Sequence, residues 1–408
     1  MYLKLIREGM SYGQLTLKLP GGEVHHFGDH GPHITWVMRD KKTLIKIVKN
    51  WEFQLGETYI AGDWDVEDGS LYDLMSILRY NFQILKLPFL FRLLLVFGKF
   101  FRQWNHLIAS RENVAHHYDL DRELFSLCLD KNQIYSCAYF KNDAVNLEQA
   151  QLAKCHHIAR KLLLEPGQSV LDIGCGWGSF ALFLAQHFDV NVTGLTLSEE
   201  QHEIACKRAS ELGLAGKVDF KLADYREHDR KYDRIVSIGM FEHVGQENFS
   251  TYFDKVESCL KDQGVALIHT IARTGQPRKT NPWIEKYIFP GGYLPSLSQI
   301  SSSVESTELE MTDIEVLSGH YERTLAIWRQ SFLEHRHKFE QMKDERFCRM
   351  WEFYLTSSEA SFRHTRLTVI QMQLAKQREI IPLTRDYMYQ DMSPIKQAKE
   401  TELLLDIA

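Results

Sequence analysis

Residues 172–178 read Asp172-Ile173-Gly174-Cys175-Gly176-Trp177-Gly178 and close a short apolar run, Val170-Leu171, with three alternating glycines. Glycine takes Cβ out of a turn, so the backbone can press against a ligand while a helix starts beneath it. The spacing is Gly-x-Gly-x-Gly with an acid two residues ahead, not the Gly-x-Gly-x-x-Gly of dinucleotide folds. A nucleotide-like cofactor suits this loop; a purely structural strand-to-helix turn is the alternative. Met240-Phe241-Glu242-His243-Val244-Gly245 sets a carboxyl and an imidazole just past a second apolar run. A buried glutamate there needs a partner or a raised pKa, as catalytic carboxylates show. The alternative is a helix-capping Glu242 and a packed His243. His269-Thr270-Ile271 ends a third run, and Tyr135-Ser136-Cys137-Ala138-Tyr139-Phe140 could fold over a cofactor as an arm. Taken singly, His269 and Cys137 also read as packing residues, and His320-Tyr321 carries little.

Only a sheet can bring such distant segments together. From about residue 145 helix and strand alternate as in a doubly wound α/β domain. The pattern predicts a helix from Leu147 to Leu164, strand 169–173, helix 178–187, strand 191–195 and helix 199–212. Strands 217–221 and 233–238, helix 249–261 and strand 264–271 follow. Ligands of such sheets bind at the carboxyl ends of the strands, near the reversal of strand order. This predicts that Asp172 to Gly178, Thr196, Asp224 and Met240 to His243 share one crevice. The C-terminal third reads as helical, from Thr324 to Met342 and from Arg346 to Lys376, with a polar tail. The first hundred residues read as a small α+β unit. It has strands near 15–19 and 34–38, helices from Leu44 to Gln54 and from Leu71 to Asn81, and a glycine-punctuated connection at 56–64. Residues 82–105 mix Leu, Phe and Trp with Lys and Arg, which fits either a core-packing linker or a face for anionic lipid.

Composition narrows the classes. A chain of 408 residues with 44% hydrophobic and 25% charged residues can build a sizeable core, and a net charge of -6 argues against nucleic acid as partner. Seven cysteines without a Cys-x-x-Cys pair fit reduced intracellular thiols. No apolar leader is visible, and the stretch from Leu85 to Phe101 is interrupted by Lys86, Pro88, Arg92, Gly98 and Lys99, so a soluble, cytoplasmic protein is expected. His25, His26, His30 and His33 crowd one segment but read as solvated turn histidines, and no metal site is expected. No Gly-x-Ser-x-Gly elbow points to a hydrolase.

Together these segments resemble the cyclopropane-fatty-acyl-phospholipid synthases and the related mycolic acid cyclopropane synthases, from about Gly56 to about Arg366. The matching stretches are Gly56-Glu57-Thr58-Tyr59, His117-Tyr118-Asp119-Leu120, Tyr135-Ser136-Cys137, the 172–178 loop, Gly194-Leu195-Thr196-Leu197-Ser198, Arg234-Ile235-Val236-Ser237, Gly239-Met240-Phe241-Glu242-His243, His269-Thr270-Ile271 and Phe289-Pro290-Gly291-Gly292. The resemblance implies a class I methyltransferase (Rossmann-like) domain over 106–408, with a smaller lipid- or membrane-docking domain and linker over 1–105. It also implies methylene transfer from S-adenosylmethionine to the cis double bond of an unsaturated phospholipid. The carbocation formed would be deprotonated by a bound bicarbonate, caged by Cys137, Glu242, His269, the Ile271 backbone and Tyr321. The cofactor would lie over Asp172, Gly174, Cys175, Gly176 and Gly178, touched by Tyr135 and Ser136. Thr196, Leu197 and Gln201 would contact it near the ribose, and Tyr225 and Arg226 at the adenine. Peripheral contact with the inner face of the cell membrane and a homodimer are further expectations.

The chain departs from the family pattern in two places. Ser358 stands where many members have a cysteine four residues before Phe362-Arg363, and the first fifty residues and the tail beyond about Ile380 match poorly. The alternatives are a methyltransferase that leaves the ring open or acts on a small amine, a nicotinamide dehydrogenase and a lipid carrier. The glycine spacing and the absence of an acid after Gly194-Leu195-Thr196 disfavour the dehydrogenase; a carrier leaves Glu242 and His269 unexplained.

Overall fold

The computed structural model describes residues 2–84, 126–142 and 145–389. The chain forms two compact units, one of Met1–Lys131, Ala272–Ser296 and Leu317–Thr368, the other of Asn132–Ile271, Leu297–Val316 and Val369–Ala408. The 82–105 segment, beyond the helix Leu71–Ile84, and His117-Tyr118-Asp119-Leu120 lie outside the described residues.

The first unit carries a four-stranded sheet of β1 (Gly13–Lys18), β2 (Val24–His30), β3 (His33–Met38) and β4 (Trp64–Glu67), in the order β2-β1-β3-β4. Residues 24–30, expected as turn, are therefore an edge strand. Only Phe27 is buried along β2, so apolar alternation is nearly absent. His26 Nδ1 and His33 Nε2 both lie 3.0 Å from the Thr16 hydroxyl, His25 pairs with Glu23 and His30 with Asp29. The helix expected from Leu44 to Gln54 is two helices, Lys41–Lys49 and Trp51–Ile60, split where Asn50 leaves helical geometry at φ -153° and ψ 65°. Gly56 and Thr58 thus sit inside a helix, not a connection. A Cβ on Gly56 would run into the Trp283 indole, and the Thr58 hydroxyl accepts from Trp64 Nε1 at 2.9 Å. Helices Ser318–Met342 and Glu345–His364 also belong to this unit.

The second unit is built on a seven-stranded sheet. Its strands are β5 (Ser169–Ile173), β6 (Asn191–Thr196), β7 (Val218–Leu222), β8 (Tyr232–Ile238), β9 (Leu260–Arg273), β10 (Glu310–Val316) and β11 (Leu367–Ala375), ordered β10-β11-β9-β8-β5-β6-β7. The pairs β5–β6, β6–β7, β5–β8 and β8–β9 are parallel, while β10 and β11 run antiparallel. This is the doubly wound α/β class. The helix expected through Lys376 stops at His364, and β11 follows it; β10 is a second strand unread in the sequence. Strand order reverses between β5 and β8, so the loops leaving these two strands face the same crevice. A Cβ added to Gly174 after β5 would lie 2.7 Å from the Met240 side chain after β8, which brings the two loops into contact. Under the sheet, Ile158, Leu162, Ala181, Leu184, Val192, Ala205 and Leu267 belong to one fully buried apolar cluster.

Candidate functional site

The glycine loop is held by backbone hydrogen bonds and by the Arg208 guanidinium, which donates to the Trp177 carbonyl at 2.9 Å. Gly174, Gly176 and Gly178 have φ of +83°, +55° and +81°, a region that side-chain-bearing residues enter at a cost. The amides of Gly174 and Cys175 both donate to the Leu195 carbonyl, at 3.0 and 2.9 Å, tying the loop to β6. A Cβ on Gly178 would press on the Phe220 ring at 2.5 Å, whereas one on Gly176 would meet nothing within 4 Å. The loop is packed below and open above, as a backbone cradle for a ligand must be. Asp172 is buried beneath it, and burial pushes its carboxyl up to about 7.

The polar rim follows β6 and β7. The Thr196 hydroxyl donates to Gln201 Oε1 at 2.8 Å and accepts from the Ser198 amide at 3.2 Å, while Leu197 between them is 73% exposed. Ser198 caps the helix Glu199–Glu211 and so orients Gln201. Past β7, Asp224 accepts from the Arg226 amide at 2.9 Å and from its guanidinium at 2.5–3.1 Å; that hydrogen bonding holds the Asp224 carboxyl below its usual range. Tyr225 is set edge-on to Tyr252, with centroids 5.4 Å apart.

On the β8–β9 side the groups are buried. Glu242 Oε1 accepts from the Ile271 amide at 2.6 Å, and Oε2 is enclosed with no hydrogen-bond partner among the described residues. The nearby Thr270 hydroxyl donates instead to the Ile271 carbonyl at 3.3 Å. Burial raises the Glu242 pKa, partly opposed by the Ile271 amide, then by Glu242's own amide and the Thr270 hydroxyl close by. His269 lies two residues before Ile271 on β9, beside Ile238 of β8. It is buried, and burial together with Lys154 and Lys161 drives its pKa well below the ordinary value, so the ring is neutral. Its Nδ1 faces Gln371 Nε2 of β11 at 3.2 Å. His243, next to Glu242, is exposed, so the paired acid and imidazole separate.

The 135–140 arm is pinned to the helix Leu147–Lys161. Gln151 Nε2 donates to the carbonyls of Ile134 and Ser136, and the buried Lys154 ammonium donates to the Ser136 hydroxyl at 2.7 Å. Cys137 is buried, and its thiol donates to the Ala138 carbonyl. Tyr135 beside it is half-buried.

Comparison with known proteins decides the family. Residues 105–372 match the model of the mycolic acid cyclopropane synthetases. The chain belongs to this family. It is 40% identical over 326 residues to the cyclopropane-fatty-acyl-phospholipid synthase of Escherichia coli K12, covering 78% of this chain and 81% of that one. It is 37% identical over 391 residues to a probable fatty acid methyltransferase of Pseudomonas putida, covering 92% and 96%. Among solved structures, the mycolic acid cyclopropane synthase CmaA1 complexed with SAH and CTAB matches with a TM-score of 0.60 at 34% identity, over 64% of this chain and 96% of that one. The protein is thus an S-adenosylmethionine-dependent methyltransferase of the cyclopropane synthase family with a class I fold.

Tyr321, the remaining expected cage residue of the family, lies in the other compact unit, where it packs edge-on against Phe362 and Trp328 with centroids 4.7 and 6.0 Å away. Ser358 belongs to that unit too and is half-buried in the helix Glu345–His364. Two residues beside the site went unread in the sequence. Gln371 is hidden in the sequence because its strand reads as a continuation of the preceding helix. Lys154 shares the buried stripe of its helix with Ala150, Gln151, His157 and Ile158, so the helical period marks it as inward-facing. No helix among the described residues is long and apolar enough to cross a membrane.

Proposed function

We propose that this chain is a cyclopropane-fatty-acyl-phospholipid synthase, adding a methylene from S-adenosylmethionine across the cis double bond of unsaturated phospholipid acyl chains. The observation that carries the reading is the enclosed, unpartnered Oε2 of Glu242 beside the neutral His269. A buried polar atom left unpaired costs about 1–3 kcal/mol, so it is retained where a ligand or a proton completes it. When bound, S-adenosylmethionine supplies the electrophilic methyl, and bicarbonate supplies the base for the proton that must leave it.

The residues fit both groups. The open side of Gly176 admits a cofactor against the backbone, and Asp172, Gly174, Cys175 and Gly178 shape the surface below. Tyr135 and Ser136 close over it, Thr196, Leu197 and Gln201 line the ribose side, and Tyr225 and Arg226 line the adenine side. An alkene is a feeble nucleophile, so alignment and exclusion of water carry much of the rate. Cys137, Glu242 and His269 would hold the base, and Tyr321 is the further cage residue that the resemblance implies. The Ile271 amide, already engaged by Glu242 Oε1, serves by fixing that carboxyl. Glu242, its pKa raised by burial, can take up the proton and pass it on. The first 105 residues form the lipid-docking part, and the protein works as a peripheral enzyme at the inner face of the membrane, as a homodimer. No step needs a covalent enzyme intermediate, so Ser358 in place of cysteine leaves the chemistry intact.

A second reading is methylation without ring closure, favoured by the Pseudomonas putida relative that is a probable fatty acid methyltransferase. One experiment separates the two. The protein is incubated with S-adenosylmethionine and liposomes of unsaturated phospholipid, and the acyl chains are analysed by mass and by double-bond content. A gain of one CH2 with the double bond consumed is the expected result. The same gain with an olefin retained selects the second reading, and no gain rejects both.

A further inference from the structure

Gln371 is completely buried in β11, and among the described residues its side chain makes a single hydrogen bond, from Nε2 to His269 Nδ1 at 3.2 Å. An amide NH donates, so the ring nitrogen it meets must present a lone pair and the ring proton must sit on Nε2. The opposite amide orientation would let Oε1 accept from Nδ1–H, but it would leave the NH2 group stranded. Among the described residues the observed orientation leaves Oε1 and one amide N–H unpaired where the opposite one leaves both N–H groups, and an under-satisfied carbonyl is tolerated better than an orphaned donor. The surroundings agree. Burial and the ammonium groups of Lys154 and Lys161, with His157 beyond them, all oppose a second proton on the ring, and Glu315 opposes them only weakly. Glu315 is itself engaged by His157 at 2.6 Å and by Lys161 at 2.5 Å.

We propose that Gln371 is a positioning residue that locks His269 in the Nε2–H tautomer, so that the imidazole offers the site a hydrogen-bond donor and not a base. On the reading given above, this divides the labour of the cage. His269 holds an anion by donating to it, and the Glu242 carboxyl, with its unpaired Oε2, is the group that accepts the proton. The tautomer itself is independent of that reading.

The test is the nitrogen spectrum of the full-length protein carrying 15N-labelled histidine, with the His269 signals assigned by their loss in His269→Gln. The expected wild-type spectrum has a pyridine-like Nδ1 and a pyrrole-like Nε2 for His269 near neutral pH. A protonated Nδ1 would overturn the proposal without any further variant. Gln371→Met keeps the volume and removes the donor. It is expected to release the tautomer to a mixture and to lower kcat about tenfold, the low end for residues that orient a site group, with the KM for S-adenosylmethionine unchanged. Gln371→Glu puts an acceptor against Nδ1, draws the proton there and raises the ring pKa. A Gln371→Met spectrum identical to wild type would also sink the idea. If the tautomer is as stated but no ring is formed on lipid, the proposed function fails and this inference stands.

Discussion

Between Asp172 and Arg226 the site is made of backbone turns, together with rim side chains such as Thr196 and Asp224 whose partners lie close in sequence, whereas between Glu242 and Gln371 it is made of buried side chains whose partners lie far away. Thr196 meets Gln201 and Ser198, and Asp224 meets Arg226; Glu242 meets Ile271, and His269 meets Gln371. A surface that must admit and release a large cofactor is best built from local turns open to solvent. A site that handles a proton beside a carbocation must be dry, which only long-range packing achieves. The first half is therefore expected to answer mutation through affinity and local strain, the second through turnover.

Glu242→Gln tests the second half most severely. The amide oxygen can still accept from the Ile271 amide, so the loop keeps its anchor. The carboxylate is gone, and loss of an acid–base group costs about 10²–10⁴ in kcat. Calorimetric binding of S-adenosylmethionine is expected to stay within about twofold, since no cofactor contact is touched. A comparable loss of cofactor affinity would mean that the two halves are not separate.

Asp172 sits on the border of that comparison, in the first half by sequence and in the second by burial. Its folded pKa of about 7 stands above the unfolded value, so its protonated form is the one the fold accommodates. The stability it contributes is fully present below about pH 4 and is lost as pH rises through 7, by about 1.4 kcal/mol for each pH unit that separates the two pKa values. Asp172→Asn is expected to unfold at a higher temperature than wild type at pH 8, with the gap closing on acidification toward pH 4. Thermal melts across that range check it; a gap that widens on acidification reverses the sign and fails.

The glycines sharpen the first half from within. At Gly178 an alanine meets both positive φ and the Phe220 ring, so Gly178→Ala is expected to cost stability, about 1–3 kcal/mol. At Gly176 an alanine meets open space, so Gly176→Ala costs the fold only the αL penalty, about 1–2 kcal/mol, yet puts a methyl into the proposed cofactor cradle. Gly176→Ala should weaken S-adenosylmethionine more than Gly178→Ala for a smaller fall in Tm. Equal ratios of the two effects would remove the distinction between packed and open faces of the loop.

The same division explains what the sequence made legible. The 172–178 loop, the strands β5 to β9 and the crevice at their carboxyl ends follow from local punctuation and short apolar runs. So does the position of Glu242 just past β8, whereas His269 lies inside β9, which runs on to Arg273 beyond the end expected at 271. What escaped were elements whose signal is tertiary. β11 is buried along almost its whole length, which blurs the alternation of a strand, and its apolar residues at 367, 370 and 374 also satisfy a helical period. The β-branched run Thr368-Val369-Ile370 was the local cue against helix. β2 failed for the reverse reason, a polar edge strand whose histidines find partners in Thr16, Glu23 and Asp29. Gln371 and Lys154 could not be read as site residues while their partners, His269 and Ser136, stood 102 and 18 positions away.

Ser358 provides the smallest and last probe of the comparison. It is in neither half, being a half-buried residue of the helix Glu345–His364 in the other compact unit. If catalysis rests on the Glu242–His269 cluster without a covalent enzyme intermediate, restoring a thiol there supplies nothing the reaction uses. Ser358→Cys exchanges one oxygen for sulfur and is expected to change kcat by less than about twofold and stability by no more than about 0.5 kcal/mol. Steady-state rates on unsaturated liposomes, taken with and without a thiol-alkylating reagent, decide the point. A large gain in rate that alkylation then abolishes would assign chemistry to position 358 and remove the Glu242 cluster from its central place.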